Sequence, residues 1–182
     1  MLRYYITDGT ATSETLRVSI QRAIDAGVGL VQIRQKDWSA RALMALIASI
    51  EKKASKILVN ERVDVALGAG ADGVHLPAHS LEARRYRAIV PHGFLIASSC
   101  HSVKDVLRAE KEGADLAVLG PIFATPSKLQ YGEPLGLRVL NEAAHSCALP
   151  VFALGGVNST NSRLCERAGA RGIAGIRLFQ EG

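Results

Sequence analysis

Three long polar side chains at alternate positions, Gln32, Arg34 and Lys36, are the first candidates for chemistry in this sequence. They follow the start of a short apolar run, and alternate side chains of an extended chain leave the same face. Burying such a row, two of its members cationic, is costly unless an anion pairs with it. A strand end that presents the row to a phosphorylated ligand would provide that anion. The alternative is a strand end whose Arg34 and Lys36 reach bulk water along their aliphatic stems.

The overall charge also favours anionic partners. The 182 residues carry a formal net charge of +5, with 48% hydrophobic and 21% charged residues, which is typical of a globular protein. The basic residues are scattered and not interleaved with aromatic residues, so small phosphorylated ligands are favoured over nucleic acid.

The cysteines and the N-terminus predict a cytoplasmic protein. Cys100, Cys147 and Cys165 are odd in number and widely spaced, as expected of free thiols in a reducing compartment. The chain enters an apolar strand by residue 4 and a turn by residue 8, which leaves no room for a signal peptide. No apolar run is long enough to cross a bilayer. The sequence leaves a homo-oligomer open.

The apolar pattern predicts eight strands, with a helix after each of the first seven. The strands are predicted at 3–7, 30–34, 57–60, 73–76, 94–98, 116–119, 151–154 and 173–176, and the helices at 14–26, 39–53, 63–67, 81–89, 103–112, 137–146 and 161–168. This alternation predicts an α/β fold, a single (β/α)8 TIM barrel over residues 1–182. Too few residues follow the last strand for a full helix, so the last helix is predicted to be truncated or missing. Either a neighbouring element covers the gap, or the chain itself is truncated.

A barrel gathers its functional side chains at the carboxyl ends of the strands. The residues just past the predicted strands form a polar, largely cationic ring in which Glu61 is an obvious carboxylate. After strand seven, Gly155 and Gly156 would let backbone N–H groups approach a phosphate, a position that favours this interpretation over a simple tight turn. His101, after strand five, is suited either to general-base chemistry or to a structural hydrogen bond.

Six motifs, in this order, resemble the thiamine-phosphate synthase/TenI family. They are Gln32-x-Arg34-x-Lys36, Asn60-Glu61-Arg62-Val63-Asp64, Ala71-Asp72-Gly73-Val74-His75-Leu76, Ser99-x-His101, Gly120-Pro121-Ile122-Phe123-Ala124-Thr125-Pro126-Ser127-Lys128 and Gly155-Gly156-Val157. The resemblance extends from strand one to strand eight, nearly the whole chain.

The resemblance implies a transferase of thiamine biosynthesis. In the synthases, a hydroxymethylpyrimidine diphosphate loses pyrophosphate, and the nitrogen of a thiazole phosphate captures the resulting cation. The candidate catalytic residues are then Arg34, Lys36 and Lys128, which would hold the diphosphate. The candidate substrate-binding residues are Gln32, Asn60, Ser99, His101, Thr125, Gly155, Gly156 and Arg177.

Two departures from the family pattern weaken its Mg²⁺ site. In the synthases, an Asp that follows the Asn of the second motif binds Mg²⁺. In this sequence Asn60 is followed by Glu61, which is the candidate metal ligand. Their second Asp falls in a segment that here reads Pro77-Ala78-His79-Ser80, so Ser80 replaces it. Mg²⁺ requires octahedral oxygen ligands, so the loss of one carboxylate weakens the predicted Mg²⁺ site. Arg177 follows strand eight, where it could pair with the family's second phosphate or block its site.

Pro77 and Ser80 resemble the TenI branch, whose activity is thiazole phosphate tautomerisation. The catalytic His proposed for that branch, just after strand six, is Pro121 here, as in the synthases. The sequence therefore lacks one signature of each branch.

Three functions stay open. The first is the synthase reaction, favoured by the complete row of cations. The second is the tautomerase reaction, which would need Glu61 or His101 as its base. The third is a non-catalytic binder or regulator of thiamine intermediates, which Arg177 or His79 filling the pocket would indicate.

Overall fold

Eight parallel strands close into a barrel in the computed structural model, which describes residues 1–125 and 133–179. Each strand pairs with the next along the chain, and the first also pairs with the last. The strands are β1 (Leu2–Ile6), β2 (Leu30–Ile33), β3 (Lys56–Asn60), β4 (Gly73–Leu76), β5 (Leu95–Cys100), β6 (Leu116–Leu119), β7 (Val151–Leu154) and β8 (Gly172–Gly175). The predicted α/β TIM barrel is confirmed.

Among the described residues, seven α-helices alternate with these strands. They are α1 (Ser13–Asp25), α2 (Ala40–Ala48), α3 (Val63–Gly68), α4 (Ala83–Arg87), α5 (Val103–Lys111), α6 (Gly136–His145) and α7 (Ser162–Arg167). Thr12, Ser39 and Ser102 each accept a first-turn N–H at the start of α1, α2 and α5, which satisfies a backbone donor that has no partner within the helix. None of the helices within 1–125 and 133–179 has the length and apolar character needed to cross a membrane.

The predicted extension of the second helix to residue 53 was wrong. The helix ends at Ala48, and Ser49 Oγ donates to the Leu46 carbonyl at 2.7 Å. Ile50 is buried and continues the apolar period, but it packs into the core from the loop after the helix. Lys53 then takes a positive φ of 50°, which no helix accommodates.

The strands bury side chains on both faces, as parallel barrel strands must. One set packs inside the barrel: Tyr4, Ile6, Leu30, Leu58, Ala97, Leu116, Val118, Phe152 and Ala174. The alternate residues pack outward against the helices, for example Val31 and Ile57 against Leu46 and Ile47 of α2. Full burial of each such aliphatic side chain contributes about 1.5–3 kcal/mol to the free energy of folding. Packing on both faces therefore holds the strands, and the residues at their ends, in fixed positions.

After β8 the described chain forms a single 3₁₀ turn, Arg177–Phe179. The Phe179 ring lies edge-on to Tyr5 of β1, with 6.0 Å between ring centroids, and the Arg3 guanidinium lies 5.2 Å from the Phe179 centroid. This turn covers the outer side of β1, and the predicted lack of a full last helix stays a prediction.

Candidate active site

Gln32 and Asn60 meet at the carboxyl ends of two neighbouring strands. Gln32 Nε2 donates to Asn60 Oδ1 at 2.8 Å, and Gln32 is 2% exposed. Because parallel β2 and β3 run side by side, with Gln32 in register with Leu58, the two amides lie on the same inner face. This bond leaves the Asn60 amino group as a donor at the barrel mouth.

Arg34 and Lys36 lie beyond the end of β2, in the loop that follows. The strand was predicted to continue through Arg34, but it ends at Ile33 because the Arg34 backbone N–H donates to Thr7 Oγ1 at 2.7 Å. Arg34 is half-buried and Lys36 is exposed. The two cations therefore incur less desolvation than a buried row would, and both lie at the carboxyl-terminal rim of the barrel, where a soluble anion can reach them.

His75 links the first and fifth strands through two hydrogen bonds. Its Nδ1 lies 2.8 Å from Tyr4 Oη, and its Nε2 lies 2.9 Å from Ser99 Oγ. Burial lowers the pKa of His75 to about 3, and the charge of Arg34 adds to this effect. The imidazole is therefore neutral at physiological pH and cannot supply a cation to the site.

The sequence analysis did not select Tyr4, and it placed His75 at a strand end within one of the six motifs without giving it a role in the site. A tyrosine in an apolar strand has the pattern of a core residue, and nothing local to Tyr4 indicates a polar partner. His75 offered a weak signal, since it is a polar residue near the end of a buried strand, where functional side chains of barrels gather.

The glycines after β7 allow two loops to approach closely. Gly156 has φ +64°, and a Cβ there would lie 2.6 Å from the Ala124 carbonyl oxygen. Gly155 has φ +92°, and its Cβ would lie 2.7 Å from Pro121 Cα. No other residue fits at either position. The alternative interpretation, that these glycines are required for a tight turn, is therefore supported as well. Thr125, half-buried, directly follows Ala124 and so lies beside this turn.

The same turn also offers backbone donors. Neither the Gly156 nor the Val157 N–H donates to a backbone or side-chain acceptor among residues 1–125 and 133–179. The Gly156 carbonyl, in contrast, accepts from Asn161 Nδ2 at 2.9 Å, which holds the turn in place. Fixed N–H groups without side chains in front of them are suited to phosphate oxygens.

His101 makes two hydrogen bonds. Its Nδ1 donates to the Gly120 carbonyl at 2.7 Å, and its backbone N–H donates to Asp105 Oδ2 at 3.1 Å. The first bond joins the end of β5 to the loop that follows β6, and the second joins it to α5. This bond fixes the neutral ring with its hydrogen on Nδ1 and leaves the lone pair on Nε2, so both the structural role and the general-base role of His101 stay open.

Glu61 lies just past β3 in the left-handed region, with φ +64°, which is uncommon for a residue other than glycine. Its half-exposed carboxylate lies 3.8 Å from Nε2 of the exposed His79, and Ser80 follows in the same loop. Within the described ranges, no three His, Cys, Asp or Glu residues are grouped to hold a metal. Mg²⁺ is often held by one carboxylate and substrate phosphates, so these residues fit an ion shared between Glu61 and a diphosphate.

Comparison with known proteins places this geometry in a family. The sequence matches the family described as thiamine monophosphate synthase over residues 3–179. This chain belongs to that family. The resemblance inferred from the six motifs is therefore confirmed.

Individual synthase relatives match over nearly the whole chain. A thiamine-phosphate synthase of Methanoculleus marisnigri is 39% identical over 95% of this chain and 84% of its own length. A solved structure, thiamine phosphate pyrophosphorylase from Pyrococcus furiosus, has a TM-score of 0.85 at 30% identity, covering 98% of this chain and 87% of that one. Thiamine phosphate pyrophosphorylase from Bacteroides thetaiotaomicron, at 22% identity and a TM-score of 0.72, shares the fold.

The side chains of two predicted site residues, Lys128 and Arg177, are not among those that the structure describes. Lys128 falls within residues 126–132, between the two described ranges. The backbone of Arg177 belongs to the turn after β8, but its side chain is not among those described. The roles of both residues stay predictions.

Proposed function

We propose that this chain is a thiamine-phosphate synthase, which joins a hydroxymethylpyrimidine diphosphate to a thiazole phosphate and releases pyrophosphate. The observation that carries this function is the barrel mouth itself, where Arg34 and Lys36 directly follow the buried Gln32–Asn60 pair. In support, the chain is 37–39% identical over 95% of its length to proteins named thiamine-phosphate synthase.

Arg34 and Lys36 would stabilise the leaving group. The bond between the pyrimidine methyl carbon and the diphosphate oxygen breaks, and negative charge develops on the departing pyrophosphate. Cations already fixed at that place stabilise the developing charge more than the ground state. The Arg34 fork can bind two oxygens at once, and Lys36 adds a point charge on a flexible stem.

The pyrimidine would lie over the inner ends of β2, β3 and β5. The Asn60 amino group, oriented by Gln32, and the Ser99 hydroxyl face this part of the barrel mouth. With the carbon and the leaving group held there, the lone pair of the thiazole nitrogen can attack the methyl carbon and form the new carbon–nitrogen bond. Holding both reactants in this geometry accounts for much of the acceleration expected of such an enzyme.

The thiazole phosphate would bind at the turn after β7. The Gly156 and Val157 N–H groups and the neighbouring Thr125 offer the donors, and the turn lies next to the loop that follows β6. This arrangement supports a second anion site beside the diphosphate site, as the joining of two phosphorylated substrates requires.

Glu61 would hold Mg²⁺ together with diphosphate oxygens. A bound Mg²⁺ would neutralise part of the charge of the pyrophosphate leaving group. The contribution of the chain is one carboxylate at the end of β3, presented by the left-handed backbone of Glu61.

The other two functions have less support. A tautomerase would need Glu61 or Nε2 of His101 as its base, but it acts on a monophosphate and would not need Arg34 and Lys36 as well as the turn after β7. A non-catalytic binder predicts that Arg177 or His79 fills the pocket; the His79 side chain is 80% exposed, and that of Arg177 lies outside the described residues.

The cysteines support the proposed cytoplasmic location. All three lie within the described ranges and are free, and two of them are buried. Burial raises the pKa of Cys100 to about 12, so this thiol stays protonated and unreactive. Such thiols suit a reducing compartment.

A two-substrate assay tests the function. The protein is incubated with the pyrimidine diphosphate, the thiazole phosphate and Mg²⁺, and thiamine phosphate is measured, with each substrate omitted in turn. We expect product only when both substrates are present. Conversion of the thiazole phosphate alone into a tautomer would instead establish the isomerase, and tight binding without any conversion would establish the binder.

A further inference from the structure

A buried chain of hydrogen bonds runs from the first strand to the barrel mouth. It joins Tyr4 Oη to His75 Nδ1 at 2.8 Å and His75 Nε2 to Ser99 Oγ at 2.9 Å. We propose that Tyr4 and His75 are positioning residues that fix the Ser99 hydroxyl as a hydrogen-bond donor to an acceptor atom of the pyrimidine diphosphate. Only the identity of that substrate rests on the proposed synthase function.

The Tyr4 hydroxyl determines which group donates in each of these hydrogen bonds. Its side chain is 0% exposed, and His75 Nδ1 is the sole hydrogen-bonding partner of Tyr4 Oη among residues 1–125 and 133–179. If Nδ1 carried a hydrogen and donated it, the phenolic hydrogen would be left unpaired in the barrel interior, which is unfavourable. Burial also raises the pKa of Tyr4, so the phenol keeps its proton. Tyr4 therefore donates and Nδ1 accepts.

The tautomer of the His75 imidazole then determines which group donates in the bond to Ser99. A nitrogen that accepts a hydrogen bond carries no hydrogen of its own, so the His75 ring is neutral and has one N–H. Because Nδ1 accepts from Tyr4, that hydrogen resides on Nε2. His75 Nε2 then donates to Ser99 Oγ.

Ser99 completes the chain at the mouth. Its oxygen accepts from His75, and its own hydrogen has no acceptor in residues 1–125 and 133–179. The half-buried hydroxyl lies at the inner side of β5, where the substrate is expected. It can therefore donate to a ring nitrogen or an oxygen of the substrate, whereas a Ser99 that donated to His75 would favour a substrate amino group. The hydrogen bonds from Tyr4 through His75 to Ser99 therefore favour a substrate that places an acceptor atom, and not an amino group, next to Ser99.

Nitrogen NMR of the protein without substrate tests the direction. In ¹⁵N-histidine-labelled protein at pH 8, where ordinary histidine side chains are neutral, we expect His75 to show an unprotonated Nδ1 and a protonated Nε2. The His75→Gln variant identifies the signal by its loss. His101, whose Nδ1 donates to the Gly120 carbonyl, should show the opposite tautomer in the same spectrum and serves as the reference. A His75 ring protonated on Nδ1 would overturn the proposal.

A matched pair of variants tests the consequence. Tyr4→Phe removes the phenol that sets the tautomer, so we expect the His75 signals to move towards a mixture of tautomers. We also expect KM for the pyrimidine diphosphate to rise about fivefold to tenfold, with a smaller change in kcat. Tyr5→Phe makes the same deletion on the outer face of β1 and should change neither quantity. A Tyr4→Phe variant with an unchanged His75 tautomer would contradict the assigned role of Tyr4.

Ser99→Ala separates the two proposals. The hydrogen on Nε2 is set by Tyr4, so the His75 tautomer should survive the loss of Ser99, while binding of the pyrimidine diphosphate in calorimetry weakens.

The NMR result is obtained without any substrate, so it does not depend on the proposed function. A protein that shows the expected tautomer but makes no thiamine phosphate would disprove the proposed function alone, and a reversed tautomer in an active enzyme would disprove the positioning role alone.

Discussion

Gln32 Nε2 donates to Asn60 Oδ1 at 2.8 Å and so joins the carboxyl ends of β2 and β3. Arg34, two residues beyond Gln32, is held in turn by its backbone bond to Thr7. The segment that carries the cations is thereby fixed to the strands on both sides. The backbone of this cationic segment is therefore positioned by neutral polar groups.

Asn60→Ala should destabilise the protein by about 1–3 kcal/mol, because it leaves the buried Gln32 amide without its partner. Urea denaturation measures the loss. Asn141→Ala, at an exposed position of α6, is the matched control and should change the free energy of unfolding by less than about 0.5 kcal/mol. Equal effects of the two substitutions would mean that the Gln32–Asn60 bond contributes nothing to stability.

Gly156→Ala should be costlier than Gly27→Ala, although both residues have a positive φ. A Cβ at Gly156 would lie 2.6 Å from the Ala124 carbonyl oxygen, whereas a Cβ at Gly27 would meet nothing within 4 Å. We expect about 1 kcal/mol of backbone strain for Gly27→Ala and a larger loss for Gly156→Ala. Thermal denaturation of both variants is the comparison, and similar losses would show that the two loops can separate without cost.

The stability of the protein should fall as the pH is lowered from about 6.5 towards 3. In the unfolded chain His75 binds a proton near its ordinary pKa, but in the folded protein burial lowers that pKa to about 3. The unfolded state therefore binds one more proton in this window, and the free energy of unfolding falls by up to about 1.4 kcal/mol per pH unit from this group. The slope should be shallower in His75→Gln, measured by urea denaturation at each pH. The same slope in both proteins would show that His75 titrates normally.

Ser80→Asp should strengthen Mg²⁺ binding several-fold, because it restores the second carboxylate of the family pattern beside Glu61. Glu61→Gln should weaken Mg²⁺ binding, since it removes the charge of the remaining ligand. Calorimetric titration of Mg²⁺ in the presence of pyrophosphate measures both effects, with the exposed Glu51→Gln as the unaffected control. If Glu61→Gln binds Mg²⁺ as the unaltered protein does, Glu61 is not a ligand.

The barrel could be predicted from the sequence because its signal is local. Strands such as 116–119 and 151–154 are short apolar runs between helices of regular period, and their predicted bounds agree with the structure. The end of β2 could not be predicted, because the bond from Arg34 to Thr7 joins residues far apart in the chain. For the same reason, Ile50 extended the apparent period of α2 although it packs from a loop.

The site was predictable where its residues follow the strands directly. Asn60 and Ser99 were predicted in this way and Gln32 by its alternation with Arg34 and Lys36, and the structure brings the three to one end of the barrel. Tyr4 was missed because its partner, His75, is 71 residues away and its own surroundings are apolar. The occupation of His101 by the Gly120 carbonyl was likewise hidden, since it depends on the packing of the loop after β6.

The central claim is that the cations at the barrel mouth drive the release of pyrophosphate as thiamine phosphate forms. The most direct measurement counts both products in the two-substrate reaction for the unaltered protein, for Lys36→Ala and for Lys111→Ala. Lys36 is exposed at the mouth, and Lys111 is equally exposed at the far end of α5. We expect equal amounts of the two products, a loss of about 100-fold or more in kcat/KM for Lys36→Ala without loss of folding, and no change for Lys111→Ala. Unequal products, or a Lys36→Ala variant as active as Lys111→Ala, would contradict the claim.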